Sequence, residues 1–145
     1  MKIDPKHSWD VSVQEAREIQ SRLAGQIVTD NSINFKKVKT IGAADISFSH
    51  GDRSIYASLI FVNYPDLRLL DVYSIKTTAS FPYIPGYLSF REIPPLLKII
   101  EKLKSLPDIL LCDGQGLAHP RGLGLASHLG LVLDIPTVGC AKSLL

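Results

Sequence analysis

The order of the apolar segments constrains the fold of this chain more than any other feature of its sequence. Three strand-length segments come first, at Thr40 to Phe48, Ile55 to Asn63 and Leu67 to Lys76. Between the last two lies Tyr64-Pro65-Asp66, whose residue types favour a turn. These two strands are therefore predicted to pair as an antiparallel hairpin, and all three strands to form an antiparallel meander.

The later segments alternate between helix and strand. Apolar residues at helical spacing predict a second helix that runs to about Leu106, and Pro107 ends it. The almost wholly apolar segment Asp108 to Cys112 predicts a fourth strand that is covered on both faces. A third helix is predicted at roughly Leu125 to Leu133, and a short fifth strand at Thr137 to Ala141. Such an alternation joins strands in parallel through right-handed crossovers.

A further helix is predicted ahead of the strands. Ser12-Val13-Gln14-Glu15 is a capping-box pattern, in which the Ser12 and Glu15 side chains each satisfy an otherwise unpaired backbone N–H. Apolar residues follow at helical spacing, and Gly25 is a suitable end. The complete order indicates an α/β fold with one mixed sheet, in which strands 1–3 are antiparallel, strands 1, 4 and 5 are parallel, and helices flank them. This order resembles the ribonuclease H-like arrangement.

Composition limits the class of protein without choosing a function. A chain of 145 residues is long enough to bury one core but not two. Hydrophobic residues make up 46% and charged residues 21%, and the longest apolar runs are too short to span a bilayer. We therefore expect a cytoplasmic protein without membrane association, in which Cys112 and Cys140 are buried reduced thiols. A net charge of +2 neither requires nor excludes nucleic acid as a partner.

Three acidic residues are candidates for a shared site. Asp45 lies in the middle of the first strand, within an otherwise apolar run, and Asp113 lies at the C-terminal tip of the fourth. Glu92 lies at the entry of the helix between them. If the first and fourth strands are neighbours, the two aspartates project together at the centre of the sheet, and like charges in a partly buried site require a cation. Oxygen ligands favour Mg²⁺ or Mn²⁺ over zinc, and such an ion can promote cleavage of a phosphodiester.

Each acid also has a structural interpretation. Asp113 precedes a glycine and could simply open a turn. Glu92 could be the capping partner of Ser89, although Pro94-Pro95 suggests that the regular helix starts later. Asp45 is the hardest to explain without a ligand, because an unpaired carboxylate in the middle of a strand is costly. Taken together, the three acids favour a metal site.

Histidines and a proline-rich loop are the other candidate contacts. His7 and His50 lie in polar segments that we expect to be exposed, and we expect His128 to be a packed or solvated residue of the third helix. His119 lies in the glycine-rich loop after the fourth strand, where it is a candidate for a phosphate or base contact. Residues 81–89 combine prolines, a glycine and aromatic side chains, which predicts a stiff loop that carries aromatic rings.

Several longer motifs resemble those of one known family. They are Pro82-Tyr83-Ile84-Pro85-Gly86-Tyr87-Leu88-Ser89-Phe90-Arg91-Glu92, Asp113-Gly114-Gln115-Gly116, Ala118-His119-Pro120-Arg121, Gly124-Leu125-Ala126-Ser127-His128 and Pro136-Thr137-Val138-Gly139-Cys140-Ala141-Lys142. In this order they closely resemble endonuclease V, the deoxyinosine 3′-endonuclease family. The resemblance runs from about Gly42 to Leu145.

The resemblance implies an activity. Members of this family are DNA repair endonucleases that cleave the second phosphodiester bond on the 3′ side of a deaminated adenine, and some members also act on RNA. By resemblance, Asp45, Glu92 and Asp113 are the metal-site acids, with Mg²⁺ as the cofactor and Mn²⁺ as a substitute. Lys142 matches a lysine near the scissile phosphate. The implied partner of this chain is therefore nucleic acid that contains deaminated bases.

The same resemblance implies a recognition site for the damaged base. The family's wedge corresponds to Pro82, Tyr83, Ile84, Pro85 and Gly86, and the Tyr83 ring is inserted where the base is flipped out. The pocket for the flipped base would be assembled from Gly86, Leu88, Gly114, His119, Gly124, Leu125, Ala141 and Leu145. Small residues and exposed backbone amides suit close recognition of the edge of hypoxanthine.

Two departures from the family pattern leave alternatives open. Gln115 stands where many relatives have histidine, and we expect little effect because the spacing is unchanged. Relatives also usually extend well past Lys142, so we expect residues 1–145 to be a single catalytic core without the family's C-terminal part. The main alternative is a truncated, catalytically impaired nucleic-acid-binding module that keeps the wedge and pocket. A different ribonuclease H-like nuclease is a second alternative, and the motif from Pro82 to Glu92 argues against it.

Overall fold

The computed structural model describes residues 3–30 and 32–143, and within them the predicted order of elements is confirmed. The elements are α1 (Val13–Ala24), a 3₁₀ turn (Phe35–Lys37), β1 (Thr40–Phe48), β2 (Ser54–Asn63), β3 (Leu69–Thr78), α2 (Leu88–Ile100), β4 (Ile109–Asp113), α3 (Leu125–Leu133) and β5 (Thr137–Cys140). In this part of the chain the strand order is β3-β2-β1-β4-β5. The pairs β1–β2 and β2–β3 are antiparallel, and the pairs β1–β4 and β4–β5 are parallel. This is the mixed sheet that the sequence predicts.

The apolar core lies between one face of the sheet and helices α2 and α3. Buried residues alternate along β2, at Ile55, Ala57, Leu59 and Phe61. On the opposite face, Ala43, Ile60 and Leu111 are only half-buried and line an open cavity of about 300 Å³. The expectation that the fourth strand is covered on both faces is therefore wrong at Leu111, because α2 and α3 both pack against the other face.

The start of α2 differs from its prediction. The helix begins at Leu88, ahead of Pro94-Pro95, and its N-terminal boundary has no side-chain capping hydrogen bond. The interpretation of Glu92 as the capping partner of Ser89 is therefore wrong. Two prolines remove two helical N–H donors, which usually disrupts a helix. Here the loss is outweighed by packing, since this segment buries Phe90, Ile93, Pro95, Leu96 and Leu97.

Two further boundaries are displaced from their predicted positions. Helix α2 ends at Ile100 rather than near Leu106, because the chain then turns and brings Leu103 into the core. Strand β3 begins at Leu69 rather than Leu67. Leu67 has a φ of +58°, which belongs to the turn between the strands rather than to extended backbone. Both shifts are local and leave the strand order unchanged.

The two cysteines differ in their exposure. Cys112 and Cys140 are both free thiols, but only Cys112 is buried. The expected burial of Cys140 is wrong, because β5 lies at an edge of the sheet and most of its residues are exposed. Within residues 3–30 and 32–143, no helix combines the length and apolar character that crossing a bilayer requires.

Helix α1 begins with the predicted capping box. The Glu15 N–H donates to Ser12 Oγ at 3.1 Å, and the Ser12 N–H donates to Glu15 Oε2 at 2.7 Å. On the inward face of the helix, Ala16, Ile19 and Leu23 pack with residues outside the helix. Together they form a separate apolar cluster, whose other members are Phe81, Phe90 and Leu123. Helix α1 is therefore packed against the start of α2 and the loop before it.

Replacing Ser12 by alanine should lower the free energy of unfolding by about 1 kcal/mol, because the Glu15 N–H loses its acceptor. Urea unfolding followed by circular dichroism measures this change. Ser21→Ala is the matched control, since it removes an exposed hydroxyl from the interior of the same helix. An unchanged unfolding midpoint in Ser12→Ala would contradict the capping role.

Candidate active site and base pocket

The sheet places two of the predicted acids on adjacent strands. Ala44 of β1 is paired with Cys112 of β4 in parallel register, so Asp45 and Asp113 follow side by side. Both acids line the open cavity of about 300 Å³, and both are exposed. The apolar neighbours of Asp45 in the sequence suggested a partly buried carboxylate, but Asp45 is exposed. The exposure of both groups leaves them accessible to a ligand from solvent.

Glu92 is the buried acid of the site. Its side chain is 9% exposed, because α2 directs it towards the sheet, and it lines a second cavity together with Asp113. Burial raises the pKa of Glu92 to about 7; the positive charge of Arg91 opposes this shift, and the negative charges of Asp113 and Asp45 add to it. Near neutral pH, a nearby cation would move Glu92 to its charged form.

The chemistry of this donor set fits a hard divalent cation. Asp45, Glu92 and Asp113 offer only carboxylate oxygens, which Mg²⁺ and Mn²⁺ prefer. Burial, and to a smaller extent the charges of Asp113 and Asp45, disfavour the charged form of Glu92, and a bound cation would offset both effects. The described residues nevertheless contain no group of three or more His, Cys, Asp or Glu side chains already arranged to hold an ion. The three acids would have to converge on the ion when it binds.

The glycine-rich loop after β4 is held by backbone hydrogen bonds to the start of α3. The Gly124 N–H donates to the Gly116 carbonyl at 2.9 Å, and the Ala126 N–H donates to the Gln115 carbonyl at 3.0 Å. A Cβ atom at Gly124 would collide with the Gln115 carbonyl. Glycine is therefore required here for the close approach of two backbone segments.

A second cavity, of about 110 Å³, lies between this loop, the start of α2 and the start of α3. It is lined by six of the residues predicted for the base pocket, namely Gly86, Leu88, Gly114, His119, Gly124 and Leu125. Ala141 is not among its lining residues, and Leu145 lies outside the described residues. Glu92 and Asp113 also line the cavity, so the pocket adjoins the acidic site. Ser89, Gln115 and Leu123 line it as well. The sequence does not single them out as pocket residues, because Ser89 and Gln115 stand within longer motifs without an implied pocket role and Leu123 lies outside every motif.

The loop before α2 presents Tyr83 at the surface. The Tyr83 side chain is 54% exposed, and its ring lies 5.4 Å from that of Phe48, between ring centroids. Behind it, the Tyr87 N–H donates to the Ile84 carbonyl at 3.0 Å. This bond closes a turn with Pro85-Gly86 at its central positions, where Gly86 has the φ of +86° that a type II turn requires. The loop therefore holds its exposed aromatic ring on a rigid base.

Lys142 and His119 are the remaining predicted site residues. Lys142 is exposed in the segment after β5, and the Gly114 N–H donates to the Cys140 carbonyl at 3.2 Å, which brings this end of β5 beside the acidic site. His119 Nε2 lies 2.8 Å from the Gly86 carbonyl, and His119 Nδ1 accepts from the Arg121 N–H at 3.1 Å. Both ring nitrogens of His119 are therefore bonded to the protein.

Two histidines that are far apart in the sequence form a hydrogen-bonded chain that runs from the buried His128 to the half-buried His7. Ser89 Oγ lies 2.9 Å from His128 Nδ1, His128 Nε2 lies 2.7 Å from His7 Nε2, and His7 Nδ1 lies 2.6 Å from the Ser8 carbonyl. One set of tautomers satisfies every atom, with each N–H or O–H donating in the direction of Ser8. Burial lowers the pKa of His128 to about 3 and also lowers that of His7. The expected exposure of His7 is wrong, because its ring is half-buried against Trp9 and His128.

The fold and the site together define an α/β domain of ribonuclease H-like architecture that carries an acidic site beside a small pocket. The model of the Endonuclease V family matches residues 21–145, and the chain belongs to this family. Endonuclease V of Trichormus variabilis is 46% identical over 145 residues, which are 100% of this chain and 65% of the relative. Endonuclease V of Methanothrix thermoacetophila is 50% identical over 140 residues, 94% of this chain and 59% of the relative.

The solved structures that this chain resembles are also of Endonuclease V proteins. The crystal structure of Endonuclease V from Bacillus subtilis matches with a TM-score of 0.90 at 28% identity, over 100% of this chain and 62% of that one. Endonuclease V of Ciona intestinalis, in complex with a 23mer DNA containing an inosine followed by a ribo-adenosine, matches with a TM-score of 0.85 at 32% identity, over 93% of this chain and 60% of that one. This chain therefore spans slightly less than two thirds of the length of these relatives.

Proposed function

We propose that this chain is the catalytic core of an endonuclease that nicks DNA beside deoxyinosine, at the second phosphodiester bond on the 3′ side, with inosine-containing RNA as a further substrate. The observation that carries the proposal is that Glu92 and Asp113 line the same cavity as the residues expected to receive the damaged base. Membership of the family and the inosine-containing DNA bound by the Ciona intestinalis relative support it.

The wedge loop and the pocket would each contribute to recognition of the damaged base. Tyr83 offers a flat, exposed ring on a rigid turn, which suits replacement of a base in the stack. The base that leaves the stack would enter the cavity of about 110 Å³, whose walls are partly glycine backbone. Glycine in the wall lets backbone groups approach the edge of a bound base, which favours discrimination by hydrogen bonding.

Cleavage would rely on Asp45, Glu92, Asp113 and Lys142. Mg²⁺, with Mn²⁺ as a substitute, would be held by the three acids, and when bound it supplies Lewis-acid chemistry to the phosphodiester. Glu92, whose pKa is about 7, would lose its proton as the cation binds. The positive charge of the cation would then compensate the negative charge of the carboxylate. Lys142 would place a positive charge near the scissile phosphate.

Cleavage of an end-labelled duplex with a single inosine, in Mg²⁺ and in EDTA, tests this proposal. We expect a Mg²⁺-dependent nick directly on the 3′ side of the nucleotide that follows the inosine, which is the second phosphodiester bond, and no nick in the matched duplex with adenine. Cleavage that is indifferent to inosine or to EDTA would refute it. The same assay on an RNA strand with one inosine tests the second substrate.

A nucleic-acid-binding module without cleavage is the second candidate function. It is favoured by one observation, that the described residues hold no preformed group of metal ligands. This candidate predicts inosine-selective binding in a gel-shift assay together with no nick at any Mg²⁺ concentration.

Tyr83→Ala should reduce the preference for inosine over adenine by about tenfold or more, because a stacked aromatic side chain contributes about 1–3 kcal/mol per base. The Mg²⁺ concentration that gives half-maximal cleavage should stay unchanged. Tyr83→Phe is the matched control, since it keeps the flat ring and should keep the preference. Wild-type discrimination in Tyr83→Ala would remove the wedge role.

A further inference from the structure

Three side chains converge on one carbonyl of the wedge loop (Pro82 to Gly86), one from helix α1 and two from the loop after β4. Gln20 of α1 is fully buried, and its Nε2 donates to the Gly86 carbonyl at 2.8 Å. The same oxygen lies 2.9 Å from Arg121 Nη2 and 2.8 Å from His119 Nε2. Arg121 Nε in turn donates to Gln20 Oε1 at 2.5 Å. Gln20, His119 and Arg121 are called the Gly86 clamp below.

Each polar group of the Gly86 clamp has a defined role as a hydrogen-bond donor or acceptor. The Arg121 backbone N–H donates to His119 Nδ1, so the neutral His119 ring carries its proton on Nε2 and donates it to Gly86. Burial lowers the pKa of His119, in agreement with a neutral ring. The Arg121 guanidinium also lies 4.5 Å from the centre of the Tyr87 ring, which holds its plane in place.

The clamped carbonyl belongs to the peptide that joins the wedge to the pocket. The N–H of the same peptide, on Tyr87, donates to the Ile84 carbonyl, so both ends of the Gly86-Tyr87 peptide are bonded. Gly86 lines the cavity proposed for the base, and Tyr83 stands three residues before it. The orientation of this one peptide therefore fixes the position of the Tyr83 wedge relative to the wall of the pocket.

We propose that Gln20 and Arg121 are positioning residues that set the geometry between the Tyr83 wedge and the base pocket. This inference rests on the proposed function. Neither side chain is among the described residues that line the cavity, and both donate to the Gly86 carbonyl, so we infer that they act through Gly86. Burying a polar side chain such as Gln20 on the apolar face of α1 is unfavourable unless its hydrogen bonds are made, and here both ends of the amide are bonded.

The test uses Gln20→Met in the full chain, because methionine keeps the side-chain length and removes both hydrogen bonds of the amide. The ratio of cleavage rates on inosine and adenine duplexes should fall by about tenfold or more, since small misplacements of a binding group have effects of this order. The Mg²⁺ dependence should not change. Hydrogen exchange of residues 82–87, measured by mass spectrometry, should become faster without any nucleic acid present.

Two further variants distinguish the positioning of Gly86 by the Gln20 amide from the general packing of α1 against the domain. Gln20→Glu keeps the acceptor that faces Arg121 and loses the donor to Gly86, so it should reproduce the loss of discrimination. Leu23→Ala weakens the packing of α1 one turn later, where Leu23 is 1% exposed, and does not touch Gly86. It should keep the wild-type preference for inosine.

The outcomes are distinct. Unchanged discrimination in Gln20→Met and Gln20→Glu, or an equal loss in Leu23→Ala, would overturn the positioning role. If the wild-type protein shows no selectivity for inosine, the proposed function fails, and the exchange experiment still tests the Gly86 clamp. Unchanged exchange of residues 82–87 in Gln20→Met would then overturn it as well, whereas faster exchange confined to these residues supports it.

Discussion

Asp113→Asn is expected to abolish cleavage of an inosine-containing duplex, with a loss of at least about a thousandfold, and Asp45→Asn is expected to do the same. Asp113 lines both the open cavity on the sheet and the smaller cavity proposed for the base, so it stands between the acidic site and that cavity. An amide keeps the shape of the side chain but removes the negative charge that would hold the cation. Both positions are exposed, so asparagine is accommodated without a large loss of stability.

Single-turnover cleavage at saturating Mg²⁺ measures this effect, and binding of the inosine duplex should remain close to that of the wild type. Asp134→Asn is the control, since it removes an exposed carboxylate after α3, in a left-handed conformation that asparagine readily adopts. It should cleave normally. A normal rate in Asp45→Asn or Asp113→Asn would exclude that acid from the metal site.

Glu92→Gln is expected to stabilise the metal-free protein by about 3 kcal/mol at about pH 8, while it removes cleavage. The pKa of Glu92 rises from 4.5 to about 7 on folding, so the folded state holds this proton more tightly than the unfolded state does. Below pH 4.5 both states are protonated, and the variant and the wild type should be equally stable. As the pH rises towards 7, the wild type loses stability progressively, and the neutral glutamine does not.

Chemical unfolding in EDTA across this pH range measures the difference. Glu18→Gln, which removes an exposed acid of α1, controls for the loss of a carboxylate as such. Adding Mg²⁺ at about pH 8 should stabilise the wild type more than Glu92→Gln, because ion binding neutralises the buried charge. A stability difference that does not depend on pH would show that Glu92 is not a desolvated acid in the folded protein.

Local sequence patterns determined most of the fold. The capping box at Ser12 and Glu15, the strand-length apolar segment of β2 and the apolar character of β4 each depend on neighbours within a few positions, and each predicted its element. The strand order followed from the chain order through general rules of connection. The longer motifs likewise indicated the family, and six of the residues that the resemblance implies for a base pocket line one cavity.

The tertiary structure decided which polar groups are buried and which residues hold them. Asp45, with its apolar neighbours, is exposed at the open face of the sheet, whereas Glu92, in a polar-looking helix entry, is the desolvated acid. The contacts of Gln20 with Gly86 and Arg121 span 66 and 101 positions of the chain, and the pairing of His7 with His128 spans 121. No local pattern contains such pairs, because desolvation and hydrogen bonding at these positions depend on segments that meet only when α1, α2 and α3 pack together.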